Sequence, residues 1–231
     1  DQSQGKFDGT ALHRYPSPLR FFLLSKEKLR TCAFLTAIYN YNHKQEKRKG
    51  YFSMNVQQAV ETRRSIRAYE ARPVEREKLE AVLRAGNQAP IFGQFHMSVF
   101  VGPEQIHAVD TAAVEGMAHS GVPFLEQLAA QEGFHPLYGA AALVVLSAPG
   151  GNDEKGFNMA NVSCAAENMM LTATELGLGS CFLMGPMIAF ADPALRGRLG
   201  LPEGYEPLIG VALGYAAGER PAPPDRKSDN I

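Results

Sequence analysis

The order of elements along the chain predicts a mixed α+β fold, with one sheet covered by helices. Helical periodicities outnumber strand-like runs, and the strand-like runs stand far apart. No internal repeat divides the 231 residues into equal units, so one sizeable core with a short appendage is expected.

Asn55 can cap a helix through Gln57–Glu61. The chain then turns extended around Ser65–Tyr69. Pro73 opens a second helix in which Val74, Leu79, Val82, Leu83 and Ala85 recur at helical spacing, ending near Gly86 and Asn87. Met97–Val101 reads as a strand. Pro103–His119 and Val122–Gln131 read as helices separated by Gly121, and Leu143–Ser147 as a buried strand. A long apolar helix, Phe157–Leu176, is closed by Gly177. Cys181–Met184 is a short strand. Asp192 caps a short helix to Arg198 with Pro193 in its first turn, and Pro207–Tyr215 is the last strand. After Gly218 the tail is Pro-rich and polar.

Composition narrows the function classes. An apolar share of 45% with 20% charged residues is ordinary for a globular protein. The net charge of −1 gives no global attraction to nucleic acid or anionic lipid. No apolar run reaches the ~18 residues that span a bilayer. Cys32, Cys164 and Cys181 are odd in number and form no C-x-x-C pair, which argues against a disulfide framework or zinc site and fits a reducing cytoplasm. The six histidines have no metal-ligand spacing.

Residues 1–53 differ from the rest. They hold ten Lys/Arg against four Asp/Glu, whereas residues 54–231 hold thirteen against twenty. A secretory signal would need an apolar block nearer the terminus and a small-residue cleavage site. A nucleic-acid arm is a second reading, although a run such as Lys44–Lys49 is usually just solvated. The preferred reading is an atypical basic leader, disordered or translated from upstream sequence. Met54 opens the domain, and Lys47–Gly50 can be encoded by purine-rich codons like those of a ribosome-binding site. The domain expected to carry function is 54–231.

Four pieces can carry chemistry. Arg63-Arg64-Ser65-Ile66-Arg67 places two guanidiniums and a hydroxyl where a phosphate could be held, with Ser65 and Arg67 on one side of an extended stretch. By itself it also reads as a basic helix end favoured by the helix dipole. Gly177-Leu178-Gly179-Ser180, with Gly185 beyond, allows backbone to lie against a flat ligand; alone it is a helix C-cap and turn. The tail with Arg226 and Lys227 alone is a frayed end. Ala89–His96 is an aromatic and polar helix–strand junction, of the kind that carries sites, or else a turn with buried aromatics.

Taken in order, these pieces resemble the nitroreductase family from about Met54 to Lys227: R-R-S-x-R near the domain start, an A-P turn one helix later, Ala165–Leu171 on a long helix running into Gly177–Ser180, and Leu213-Gly214-Tyr215 before the tail. The resemblance implies a dimeric three-layer α+β sandwich, its central, mostly antiparallel sheet covered by helices, with FMN bound between subunits. It implies a flavoprotein oxidoreductase that moves hydride, ping-pong, from NADH or NADPH (NAD or NADP as product) through FMN to a nitroaromatic or quinone. No metal, nucleic acid or membrane is implied.

By the same resemblance Arg63, Arg64, Ser65 and Arg67 hold the FMN phosphate and ribityl chain, with Arg67 reaching the pyrimidine end. Arg226 and Lys227 complete the phosphate cage. Met184 and Gly185 present backbone near N5, and Pro90, Ile91, Phe92 and Gln94 come from the partner subunit. Asn168 is expected to be structural. The junction departs from the family's A-P-S-x-x-N-x-Q-P-W. Ile91 and Phe92 replace hydroxyl-bearing positions, while Gln94, His96 and Ser98 stand for the usual Asn, Gln and Trp. His96 is the one side chain singled out as a candidate proton donor. A narrower reductive reaction (dehalogenation or flavin breakdown) and a non-catalytic flavin store are the rival readings.

Overall fold

The computed structural model describes residues 54–151, 153 and 156–223. The readings made of the leader, of Arg226 and of Lys227 lie outside the described residues.

Helix α1 (Val56–Thr62) begins with a capping box: Asn55 accepts from the Gln58 amide, and the Gln58 side chain accepts from the Asn55 amide. Helix α2 spans Arg76–Gly86. It starts three residues after Pro73, where the sequence had placed its opening. Glu75 stays extended, its carboxylate drawn outward by the Arg72 guanidinium and the Tyr215 hydroxyl. Strand β1 (His96–Val101) leads to α3 (Pro103–Ala118) and α4 (Pro123–Ala129), each with Pro in its first turn. Strand β2 (Ala142–Pro149) precedes the longest helix, α5 (Phe157–Glu175). Strand β3 (Gly179–Leu183), a 3₁₀ helix (Gly185–Ala191), α6 (Pro193–Arg198, capped by Asp192) and β4 (Tyr205–Gly214) complete the chain order.

The four strands form one antiparallel sheet in the order β1-β2-β4-β3. Strand β2 is central and buried on both faces, which explains its continuous apolar run. Ala142, Val144, Leu146 and Ala148 pack with Val82 of α2 and with Val162, Ala165 and Met169 of α5. Leu143 and Val145 pack with Ile106, Val109 and Ala113 of α3 and with Met187 and Phe190 of the 3₁₀ helix. Helices therefore cover both faces, giving the three layers expected. Each fully buried aliphatic side chain contributes about 1.5–3 kcal/mol.

Two local features position the candidate site. Helix α5 ends in a Schellman motif, with Gly177 at φ 76°, the Leu178 amide donating to Ala173 and the Gly177 amide to Thr174. The chain enters β3 two residues later, at Gly179, so Gly179 and Ser180 belong to the strand and not to a turn. Residues 65–70 then lie along the β3 edge and the exit of β4. Ser65 bridges Ser180 in parallel and Tyr69 bridges Ala216, through Ile66 N to Ser180 O (2.9 Å) and Glu70 N to Tyr215 O (2.8 Å).

Candidate functional site

The arginine-rich pentad divides by function. Arg63 is the C-cap of α1 and its Nε pairs with Glu167 of α5 at 3.1 Å. Arg64 turns back on α1, donating to the carbonyls of Glu61 and Arg63 at 2.7 Å each. Its Nη1 thus serves the helix end, while its buried Nε has no partner among the described residues. Ser65 and Arg67 face the same side. Both act on the buried Cys181 thiol of β3: burial pushes it up, while the Arg67 charge, a Ser65 side-chain hydrogen bond and the Arg63 charge oppose that shift. Arg67 is exposed, and no carboxylate pairs with it among the described residues.

Two glycines let this segment dock. A Cβ on Gly179 would lie 2.8 Å from Ile66 Cγ1, and one on Gly214 would lie 2.7 Å from Tyr69 Cδ1. Tyr69 is buried against the sheet, and its phenol is pushed far up by burial and the nearby Cys181, only partly offset by Arg67. Beyond Tyr69, Tyr215 locks the start of the tail. Its hydroxyl donates to Glu75 (2.5 Å) and accepts from Lys78 (2.9 Å), and the Arg72 guanidinium lies 3.8 Å above its ring. That set, led by the Tyr215 bond, pulls the Glu75 carboxyl down to about 2.

Met184 and Gly185 sit at the far end of β3, where the 3₁₀ helix starts; Met184 is 58% exposed. Pro90, Ile91, Phe92 and Gln94 are exposed and precede β1, at the opposite edge of the sheet. Strands lie about 4.8 Å apart, so β1 and β3 are about 14 Å apart, and one chain does not bring this loop to Ser65 and Arg67. The loop is nonetheless held firmly. The buried Asn161 of α5 accepts from Phe92 N (2.9 Å) and donates to Phe92 O (2.7 Å), Phe92 packs on Phe157 (5.3 Å between rings), and Gln94 accepts from the Tyr205 hydroxyl (3.0 Å). His96 opens β1 opposite Ser147, at the sheet end away from the Ser65–Ser180 bridge. Asn168 donates to Ala85 O at 3.3 Å, tying α5 to α2.

A cleft of about 1040 Å³ opens beside Arg67. Its walls are the extended segment 67–74, the N-terminal turns of α3 and the 131–142 connection. Its volume suits a flat, drug-sized ligand. Asp110 of α3 and His135 line it, hydrogen-bonded at 2.7 Å. Neither this pair nor the Asn161–Phe92 clamp is legible in the sequence: their members are 25 and 69 residues apart and follow no motif. Among the described residues no helix is long and apolar enough to cross a membrane.

Known proteins agree with this architecture. The pattern of the Nitroreductase family matches residues 60–215. A protein of Archaeoglobus fulgidus, provisionally named NADH dehydrogenase/NAD(P)H nitroreductase, is 30% identical over 166 residues, 70% of this chain and 85% of the relative. The crystal structure of a Bacteroides fragilis nitroreductase with bound FMN superposes with a TM-score of 0.68 at 29% identity, covering 77% of this chain and 97% of that one. A Desulfitobacterium hafniense nitroreductase with bound FMN shares the fold, with a TM-score of 0.65 at 24% identity over 74% and 95%. With a family pattern spanning most of the folded domain and the three-layer arrangement in place, the chain belongs to the nitroreductase family of oxidoreductases.

Proposed function

We propose that the protein is an FMN-dependent NAD(P)H oxidoreductase that reduces electron-poor acceptors, nitroaromatics or quinones, by a ping-pong cycle. The observation that carries this reading is the convergence of Ser65 and Arg67 on β3 beside the large cleft, within a family whose solved member from Bacteroides fragilis holds FMN. The donor set suits the cofactor. A hydroxyl and a guanidinium without a paired carboxylate among the described residues match a phosphate and a carbonyl edge, and the buried Oγ of Ser180, the residue bridged to Ser65, has no partner among the described residues. Bound there, FMN would supply hydride transfer.

The chain's own residues have the remaining tasks. Ser65 and Arg63 would anchor the phosphate and ribityl chain, with Arg226 and Lys227 of the tail. Arg67 would place positive charge where negative charge gathers on reduction. Met184 and Gly185 would orient the reactive edge by backbone. Pro90, Ile91, Phe92 and Gln94, stranded at the opposite edge, would act across a homodimer. The exposed Val56, Val60 and Phe92 favour such a partner. The exposed Cys164 thiol and the buried Cys181 thiol, both unpaired, fit a cytoplasmic setting.

The test is a visible spectrum of the purified protein, recorded anaerobically before and after NADH or NADPH. Oxidised-flavin bands that bleach rapidly support the reading. A colourless protein that also refuses added FMN overturns it, and bands that resist both nucleotides favour the flavin store.

A further inference from the structure

The two arginines that the cofactor reading uses differ in their counter-charge. Arg67 has no paired carboxylate among the described residues, whereas Arg63 Nε lies 3.1 Å from Glu167 Oε1 of α5. Glu167 therefore stands at the anchor itself. The Arg63 and Arg67 charges and the Ser65 side chain all act on one buried thiol, that of Cys181. Among the described residues Glu167 is the one carboxylate paired with Arg63, Arg64 or Arg67. The Glu61 carboxylate of α1 is instead held by Gln57 Nε2 at 2.8 Å.

The pair uses only part of the guanidinium. Nε faces Glu167, while neither Nη of Arg63 has a partner among the described residues. The open end of the fork still suits a phosphate. The side chains are 25% exposed on Arg63 and 46% on Glu167, and an ion pair so open to water adds little to stability. Toward a ligand it has two opposed effects. As an acceptor, Glu167 aims the guanidinium. As an anion, it neutralises Arg63 and repels an incoming dianion. Glutamine at this position keeps a carbonyl acceptor for Nε and removes the charge.

We propose that Glu167 competes with the cofactor's phosphate for Arg63, and so sets how strongly the site prefers FMN to riboflavin, which lacks that group. This rests on the reading of Arg63 as a phosphate anchor. Glu167 is a specificity-determining residue that acts through Arg63 and touches no reacting atom. Its charge keeps the hold on the phosphate weaker than the cations alone would make it, and the cofactor exchangeable.

Fluorescence titration of the flavin-free protein with FMN and with riboflavin tests this. Glu167→Gln should bind FMN about 5–10-fold tighter than wild type, the effect of removing one half-exposed charge beside a dianion. Its affinity for riboflavin should stay within about twofold of wild type, since that ligand brings no charge to the anchor. The gain should shrink with added salt and vanish in an Arg63→Ala background. Inorganic phosphate, with no flavin present, should raise the Tm of Glu167→Gln more than that of wild type. Equal changes for both flavins would mean that Glu167 only supports the fold. Weaker FMN binding in Glu167→Gln would mean that the carboxylate is needed to orient Arg63. Either result overturns the proposal and leaves the flavoenzyme reading standing. A wild type that binds FMN no better than riboflavin has no phosphate anchor at Arg63, and one that binds neither flavin takes both readings down.

Discussion

Arg67 and Arg64 are three residues apart and chemically identical, yet their surroundings give them opposite expectations. Arg64 already donates to two carbonyls of its own helix end, whereas Arg67 has no counter-charge among the described residues. Arg67→Ala should weaken FMN binding ~10–100-fold, the loss of one charge-assisted hydrogen bond of ~1.5–3 kcal/mol. Arg64→Ala should shift unfolding more than it shifts affinity. Fluorescence titration of apoprotein, paired with urea unfolding, distinguishes the two, and equal losses of affinity would contradict the division. Asn161 makes a different residue-scale case. Its amide satisfies both backbone groups of Phe92, so Asn161→Ala removes two part-buried hydrogen bonds of ~0.5–1.5 kcal/mol each and should cost ~1–3 kcal/mol in urea unfolding. A change near zero would mean that the loop is held by the Phe92–Phe157 contact instead.

At the scale of elements, the close fit of segment 65–69 against the sheet depends on Gly179 and Gly214. Gly179→Ala pushes a methyl into Ile66, part of the core and unable to swing away, and should destabilise by ~1–3 kcal/mol. A Tm equal to wild type would show that the edge can yield. The Tyr215 cluster gives an expectation about pH. The Glu75 carboxyl is held at about 2, below its ordinary 4.5, so its stabilising contribution is complete above about 4.5 and is lost as pH falls through about 2. The Tm gap between wild type and Glu75→Gln should be level at neutral pH, close on acidification, and shrink with added salt because Glu75 is exposed. A gap that widens in acid would reverse the assignment.

Most elements were legible in the sequence because their punctuation is local: Asn55 and Asp192 as caps, Pro103 and Pro123 in first turns, Gly177 after the last turn of α5. The 3₁₀ helix Gly185–Ala191 was not, because its apolar residues lack a 3.6 period and it is set by packing of Met187 and Phe190 under α3. The start of β3 was misread for a related reason: Gly179 looks like turn chemistry until Ile66, 113 positions away, occupies the space of its missing side chain.

At the scale of the whole molecule, the candidate site was half legible. The arginine pentad could be found from its composition, but the sorting of Arg64 from Arg67, the Asp110–His135 pair and the Phe92 clamp depend on contacts between distant segments. The placement of residues 90–94 across the sheet from Arg67 makes dimerisation a condition of the proposed site. Sedimentation velocity should give twice the monomer mass with FMN bound. A flavin-loaded monomer would require the loop to have no cofactor role.

The bridge between Ser65 and Ser180 joins positions 115 residues apart, and strands β1 and β2 lie within that interval. Closing so long a loop is entropically slow and worthwhile only once the intervening sheet exists. The proposed phosphate anchor, Ser65, and the strand it leans on therefore meet late in folding, after β1 and β2 have ordered. During refolding, capture of FMN, followed by quenching of its fluorescence, should lag behind recovery of far-ultraviolet dichroism. Coloration of this protein thus serves as a clock for the completion of its fold.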